Sequence, residues 1–217
     1  MAQAIGHTES LEKVAQEPTR RDFINILAVT STVGAAAAFT WPLIDQLNPA
    51  ADALALGSPM TVDLNKVQPG QQIVVMWRKM PIFIVHRTSA NLAELTKPQD
   101  LGLLKDPDST SRQQPTYVQA WCRSIKPEYL VLVGICTHLG CTPGYQPGVG
   151  SLGPTWPGGW LCACHGSRYD LAGRVMKGSP APLNLPAPPY HFANDTSLVI
   201  GANPPGGAFE MSEIETL

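Results

Sequence analysis

A chain of 217 residues with 15 Lys and Arg against 17 Asp and Glu has a net charge of -2 and no basic surface to draw it to a phosphate backbone, so nucleic acid is excluded as a partner. Nineteen glycines, 21 prolines and only 15% charged residues point to a loop-rich β protein with an apolar segment somewhere. The length accommodates one domain of roughly 150 residues and an appendage.

Residues 1–19 are polar and irregular, and from Phe23 to Ile44 there is no charge. At a rise of about 1.5 Å per residue that run spans about 33 Å, enough to cross a hydrocarbon core. Arg20 and Arg21 stand directly before it and Asp45 is the first acid after it. The positive-inside tendency keeps the N-terminus in the cytoplasm and exports the rest, to the periplasmic side of a bacterial inner membrane. "TRRDFI" also resembles the twin-arginine export signal, which carries folded cargo. "ALA" at Ala53 to Ala55 has the pattern of a cleavage site, but the apolar run is longer than an ordinary signal core. A retained single-pass anchor in the lipid bilayer is the expectation. Residues 1–47 are then tail, export signal and anchor; residues 48–59, "NPAADALALGSP", are a hinge linker; and residues 60–217 are the exported domain.

In that domain short β-branched and aromatic runs recur: "MTVDL", "QQIVVMW", "IFIVHR", "TYVQAWC", "YLVLVGI" and "TSLVIG". "RKMP" joins the second and third as a hairpin. The fold expected is mainly β, an antiparallel sandwich following one N-terminal transmembrane helix. "SANLAELTKPQDLGLL" gives a helix capped by Ser89 or Asn91 and ending before Pro98, and residues 97–116 read as a solvated loop. His7, His86 and His191 read as structural histidines.

Five cysteines remain to be placed. Cys122, in a strand-like run, reads as a buried apolar thiol. The other four fall in "CTHLGC", with Cys136, His138 and Cys141, and in "CACHGSRYD", with Cys162, Cys164 and His165. A zinc site would use four of these six donors, but its usual pairs leave two to four residues between ligands, not the single residue between Cys136 and His138 or Cys162 and Cys164. Two disulfides would leave both histidines unexplained. A two-iron, two-sulfide cluster with two cysteines on one iron and two histidines on the other takes one of each from each loop. It leaves a cysteine in each loop for a cross-link and so employs all six.

These two boxes resemble those of the Rieske iron-sulfur family. The resemblance implies Cys136 and Cys162 on one iron, His138 and His165 on the other, and a disulfide between Cys141 and Cys164, which suits an oxidising compartment. It further implies that Ser167 and Tyr169 hydrogen-bond the cluster sulfur and a ligand thiolate, stabilising the reduced state and raising the potential. Rieske potentials in general span roughly -150 to +300 mV, and the upper part of that range is expected. "GSPAPLNLP", residues 178–186, resembles the family's proline-rich loop; with Leu139 it would cover the cluster through Gly178, Pro180 and Pro182. Gly140, Gly144 and Gly166 read as positions where loops pack closely. The cluster-binding subdomain would span about 134–186.

Anchor, export signal, staple and proline loop together resemble the iron-sulfur subunit of a bacterial cytochrome bc complex, a proton-translocating quinol:cytochrome c oxidoreductase. This implies that His165 contacts quinol at cytochrome b. The cluster would take one electron, and the head would move about the linker to pass it to a c-type cytochrome in a dimeric membrane complex. The small Rieske subunit of an arsenite oxidase is the nearest alternative, and a structural zinc protein the alternative of a different class. Cys122, the long loop between the boxes and "ANPPGGAFEMSEIETL" depart from the family pattern.

Overall fold

The computed structural model describes residues 19–48 and 57–215 in two compact units, Met1–Ala50 and Ala51–Leu217. The polar tail with His7, and most of the expected hinge including Ala53 to Ala55, lie outside the described residues.

In the first unit, helix α1 (Arg20–Asp45) is 26 residues, long and apolar enough to cross a membrane. Thr19 caps it: its hydroxyl accepts from the Asp22 N–H at 3.3 Å while the Asp22 carboxylate accepts from the Thr19 N–H at 2.9 Å. Arg20 and Arg21 occupy the first turn. Further along, the hydroxyls of Thr30, Ser31, Thr32 and Thr40 each donate to the carbonyl four residues back, at 2.7 to 2.8 Å, so none faces hydrocarbon with an unspent proton.

The second unit contains β1 (Met60–Asp63), β2 (Gln72–Trp77), β3 (Met80–His86), α2 (Ser89–Glu94), α3 (Pro98–Leu101), β4 (Tyr129–Val133), β5 (Gly144–Gln146), β6 (Gly159–Cys162), β7 (Ser167–Asp170), β8 (Tyr190–Asn194) and β9 (Ser197–Ile200). They form three antiparallel sheets of three strands, ordered β1-β9-β8, β2-β3-β4 and β5-β6-β7. β3 and β4 explain how the sheets combine. Ile82, Phe83, Ile84 and Val85 are all buried, as are Leu130 to Val133, because each face of this pair has its own core. With a side-chain period of two, Ile82 and Ile84 lie opposite Val133 and Val131 and enter a core with Trp77, Tyr190, Leu198 and Ile200. Phe83 and Val85, opposite Leu132 and Leu130, enter another with Trp160, Tyr169, Cys136 and Cys162. The Phe83 and Trp160 rings stack at 5.9 Å. Every apolar residue on that second face therefore supports the cysteine-bearing loops.

Several expectations are corrected. "TYVQAWC" forms turns rather than a strand, with one isolated bridge from Gln119 to Ser124. Its carbonyls are bonded locally instead of by a neighbouring strand: that of Val118 accepts from the Gln114 side chain, that of Gln119 from the Arg123 backbone N–H and that of Cys122 from the buried Arg87 guanidinium. Arg87 donates to the carbonyls of Cys122, Pro127 and Leu171 and to the Ser124 hydroxyl. Arg123 binds the carbonyls of Gln113, Ala172 and Gly173 and the Gln114 side chain. Helix α2 is capped by Thr88, one residue before the expected position, in a reciprocal box with Asn91. Residues 97–116 are not simply solvated: they include α3, and Leu104 is buried with Trp156 and Met176. The loop between the boxes contributes β5 and β6. The β2–β3 turn is the two-residue pair Arg78 and Lys79, both left-handed with φ of 49° and 62°. Such turns favour Asn-Gly, and each non-glycine residue held there costs about 1 kcal/mol or more.

Arg87, Arg123 and Arg174 are all buried, against Asp170 as the buried carboxylate among the described residues. Arg174 pairs with Asp170 at 2.7 Å. Desolvation pulls Arg87 and Arg123 down to about 10, so both still carry charge at neutral pH. Cys122 is wholly buried, and burial pushes its thiol up despite the opposing influence of Arg87. Arg87→Met would strand its acceptors without a donor and is expected to cost about 3 kcal/mol, read as a fall in unfolding free energy by chemical denaturation.

Candidate metal centre

Two loops make the centre. The first leaves β4 and runs through Cys136, His138 and Cys141; the second turns from β6 into β7 and carries Cys164 and His165. They close in the same manner: the Gly140 N–H donates to the Cys136 carbonyl at 3.0 Å and the Gly166 N–H to the Cys162 carbonyl at 2.8 Å. Both glycines are left-handed, with φ of 83° and 77°. A disulfide joins Cys141 to Cys164 with the Cα atoms 6.7 Å apart. The Cys136 N–H also donates to the Cys141 carbonyl at 2.8 Å.

The disulfide removes two donors from the six. Cys141, Cys162 and Cys164 have sulfurs within 4.8 Å of one another, but two of the three are bonded together, so they cannot serve as three thiolate ligands. Two buried free thiols, Cys136 and Cys162, and two imidazoles remain. The His138 and His165 rings meet edge to face with centroids 4.7 Å apart. The Nδ1 atom of His138 is buried without a hydrogen-bond partner, a cost that ligation would remove, whereas His165 is exposed. A thiol pair and an imidazole pair, one of each per loop, fit a metal group with a sulfur end and a nitrogen end.

Hydrogen bonds prepare the sulfur end. The Tyr169 hydroxyl lies 3.2 Å from the Cys136 sulfur and accepts from the Thr137 N–H at 3.2 Å. Burial pushes the Cys136 thiol up, but bonds from Tyr169, the His138 backbone, Cys162 and Ser167 outweigh it and leave it below the usual thiol range. Cys162 moves the other way, raised by burial and by sharing its surroundings with Cys136. The Tyr169 phenol is raised, first by burial and then by its bond to Cys136, so it stays a proton donor.

The proline-rich segment is tied to both loops. The Ala181 N–H donates to the Ser167 hydroxyl at 3.0 Å, and the Thr137 hydroxyl donates to the Leu183 carbonyl at 2.7 Å. Gly178 and Pro180 are exposed, Pro182 is half-buried and Leu139 is 69% exposed. Lys105, which no motif marks, donates to the carbonyls of Ser179 and Ala181 at 2.7 and 2.8 Å. Thr137 stands inside the first box, and its spacing gives no hint that it joins Tyr169 to the proline segment. Of the other histidines, His86 Nδ1 lies 2.9 Å from the Val67 carbonyl and His191 Nδ1 3.2 Å from that of Ala202, both distant from the centre in sequence.

The family model described as "Rieske [2Fe-2S] domain" matches residues 99–189, and that described as "Ubiquitinol-cytochrome C reductase Fe-S subunit TAT signal" matches residues 12–50. The ubiquinol-cytochrome c reductase iron-sulfur subunit of Allochromatium vinosum is 44% identical over 203 residues, covering 93% of this chain and 97% of that protein. The chain belongs to this family of iron-sulfur subunits. The subunits of the same name from Blastochloris viridis and Bradyrhizobium diazoefficiens are 46% and 42% identical, each covering 86% of this chain and 94% and 97% of their own lengths. The Rieske subunit is thus part of an oxidoreductase complex, and its centre takes a Rieske 2Fe-2S cluster. The apolar helix and the export-signal match make it membrane-anchored, with an exported Rieske domain.

Replacing Cys141 and Cys164 together by alanine frees a link across 23 residues of sequence separation and is expected to cost about 3 kcal/mol. The double variant should lose most of its cluster signal in EPR on mild warming, under conditions where the parent keeps it.

Proposed function

We propose that the domain carries single electrons from quinol, at a site on cytochrome b, to a c-type cytochrome. Cys136 and Cys162 would hold one iron, and His138 and His165 the other. The observation that carries this reading is the asymmetric histidine pair, one ring sheltered with an orphan nitrogen and the other at the surface. When bound, the cluster supplies a one-electron acceptor whose charge changes the acidity of its imidazole ligands.

The residues around it divide the remaining work. His165, exposed as Leu139 is, meets the quinol hydroxyl and holds its proton at the outer ring nitrogen. Leu139 offers an apolar contact for the ring or for the wall of the quinol pocket. Ser167 would donate to cluster sulfur and Tyr169 to the Cys136 thiolate, and the proline segment with Gly178, Pro180 and Pro182 keeps water from the sheltered side. Residues 48–59 would act as the hinge between an anchor in residues 1–47 and a periplasmic domain in residues 60–217, with the cluster-binding part at about 134–186. Arg20 and Arg21 would direct export through the twin-arginine route, the N-terminus staying in the cytoplasm of the inner membrane. In the dimeric complex the head would pass between cytochrome b and the cytochrome c subunit.

Low-temperature EPR of membranes, with and without a quinol-site inhibitor, tests the reading: the cluster signal should shift when inhibitor binds, and an insensitive signal would exclude contact between His165 and that site. Tyr169→Phe and Ser167→Ala should each lower the potential. A hydrogen bond to a charged acceptor changes by about 1–2 kcal/mol on reduction, on the order of 40–90 mV for one electron. A redox titration with the cluster still in place decides it, and an unchanged potential removes that hydroxyl from its role.

A further inference from the structure

The turn between β2 and β3 grips the chain just before β1. The Trp77 indole N–H donates to the Ser58 carbonyl at 3.2 Å, and the Arg78 guanidinium donates to the Gly57 carbonyl at 3.4 Å. These are consecutive carbonyls at the head-side end of the linker. The two donors are also fixed to each other, since the Arg78 guanidinium carbon lies 4.6 Å from the centre of the Trp77 ring. Trp77 itself is 3% exposed, packed in the core with Leu198 and Ile200. Gly201 makes room for its indole: a Cβ there would stand 2.6 Å from the ring nitrogen, on a backbone already left-handed at φ +92°. Arg78 and Lys79 adopt the strained turn in which long cations are uncommon, and Arg78 thereby reaches back to Gly57.

We propose that Trp77 and Arg78 are positioning residues that clasp the linker at Gly57 and Ser58, so that the head is anchored there and not at the start of β1. This rests on the head-movement reading above. Its consequence is geometric: opening the clasp lengthens the reach of the linker by two or three residues, at most about 3.5 Å each. The clasp touches neither the cysteines nor the histidines of the centre, so it acts on delivery and leaves the cluster as it is.

The test uses the intact complex carrying Trp77→Phe, which keeps the ring and loses the N–H, Arg78→Met, which leaves the core untouched, and both together. Hydrogen exchange of the peptide covering residues 57–66 should quicken at least tenfold in the double variant, with the EPR signal and potential unchanged; equal exchange overturns the clasp. Deleting Ala51 and Asp52 should slow quinol-to-cytochrome c turnover, and the clasp variants should restore it at least in part. Restoration is a result that simple destabilisation does not produce. Faster exchange without restoration overturns the role in reach. If the deletion leaves turnover unchanged, the head-movement reading fails, while the exchange rates still decide whether the clasp exists.

Discussion

The bond between Cys141 and Cys164 is the constraint from which the site follows. The two loops are separate in sequence, each short and closed on itself by backbone hydrogen bonds, and neither could hold a paired set of donors alone. Once joined, each presents one thiol or its neighbour on a strand and one imidazole, and the donors sort into a sulfur pair and a nitrogen pair. Cross-linking also takes two sulfurs out of contention, which leaves a donor set matched to the mixed ligation of the family.

The rest of the domain keeps that arrangement stiff. The β3–β4 pair sends alternate side chains into two cores, and one of them is built directly under Cys136, Cys162 and Tyr169. Thr137, Ser167 and Lys105 tie the proline segment, whose Ala181 and Leu185 enter that same core, to the loops and to the body. Tyr169 belongs to both systems: its ring is packed in the core and its hydroxyl lies 3.2 Å from the Cys136 sulfur. On the proposed ligation, a change in core packing would reach the metal through this phenol oxygen.

The boxes were readable because metal chemistry demands particular residue types at particular spacings, and Cys136, His138, Cys162 and His165 announce themselves by type. The apolar runs of β3 and β4 were equally legible, since burial on both faces leaves no polar position, and β2 was legible by its β-branched content although Val74 and Met76 are exposed. "TYVQAWC" reads as a strand because it is apolar and β-branched at one end, yet it turns back on itself, with the Cys122 carbonyl taken by Arg87 from 35 residues away, which no local pattern can foretell. β5 and β6 were obscured by the glycines and prolines around them. Lys105 was invisible for a further reason: its role is to satisfy two carbonyls 74 and 76 residues away, and lysine at a surface loop carries no signature.

Cys122 adds a point about maturation. A protein with five cysteines and one correct cystine can be trapped by wrong partners whenever oxidation outruns folding. Here the fifth sulfur is sealed in the interior with its acidity suppressed, so it is a poor nucleophile once the body has formed. Oxidative sorting is then settled by sequence of events: a chain that reaches the oxidant already folded has no stray thiolate at position 122 to offer, and a metal group seated on Cys136 and Cys162 would withhold those two as well.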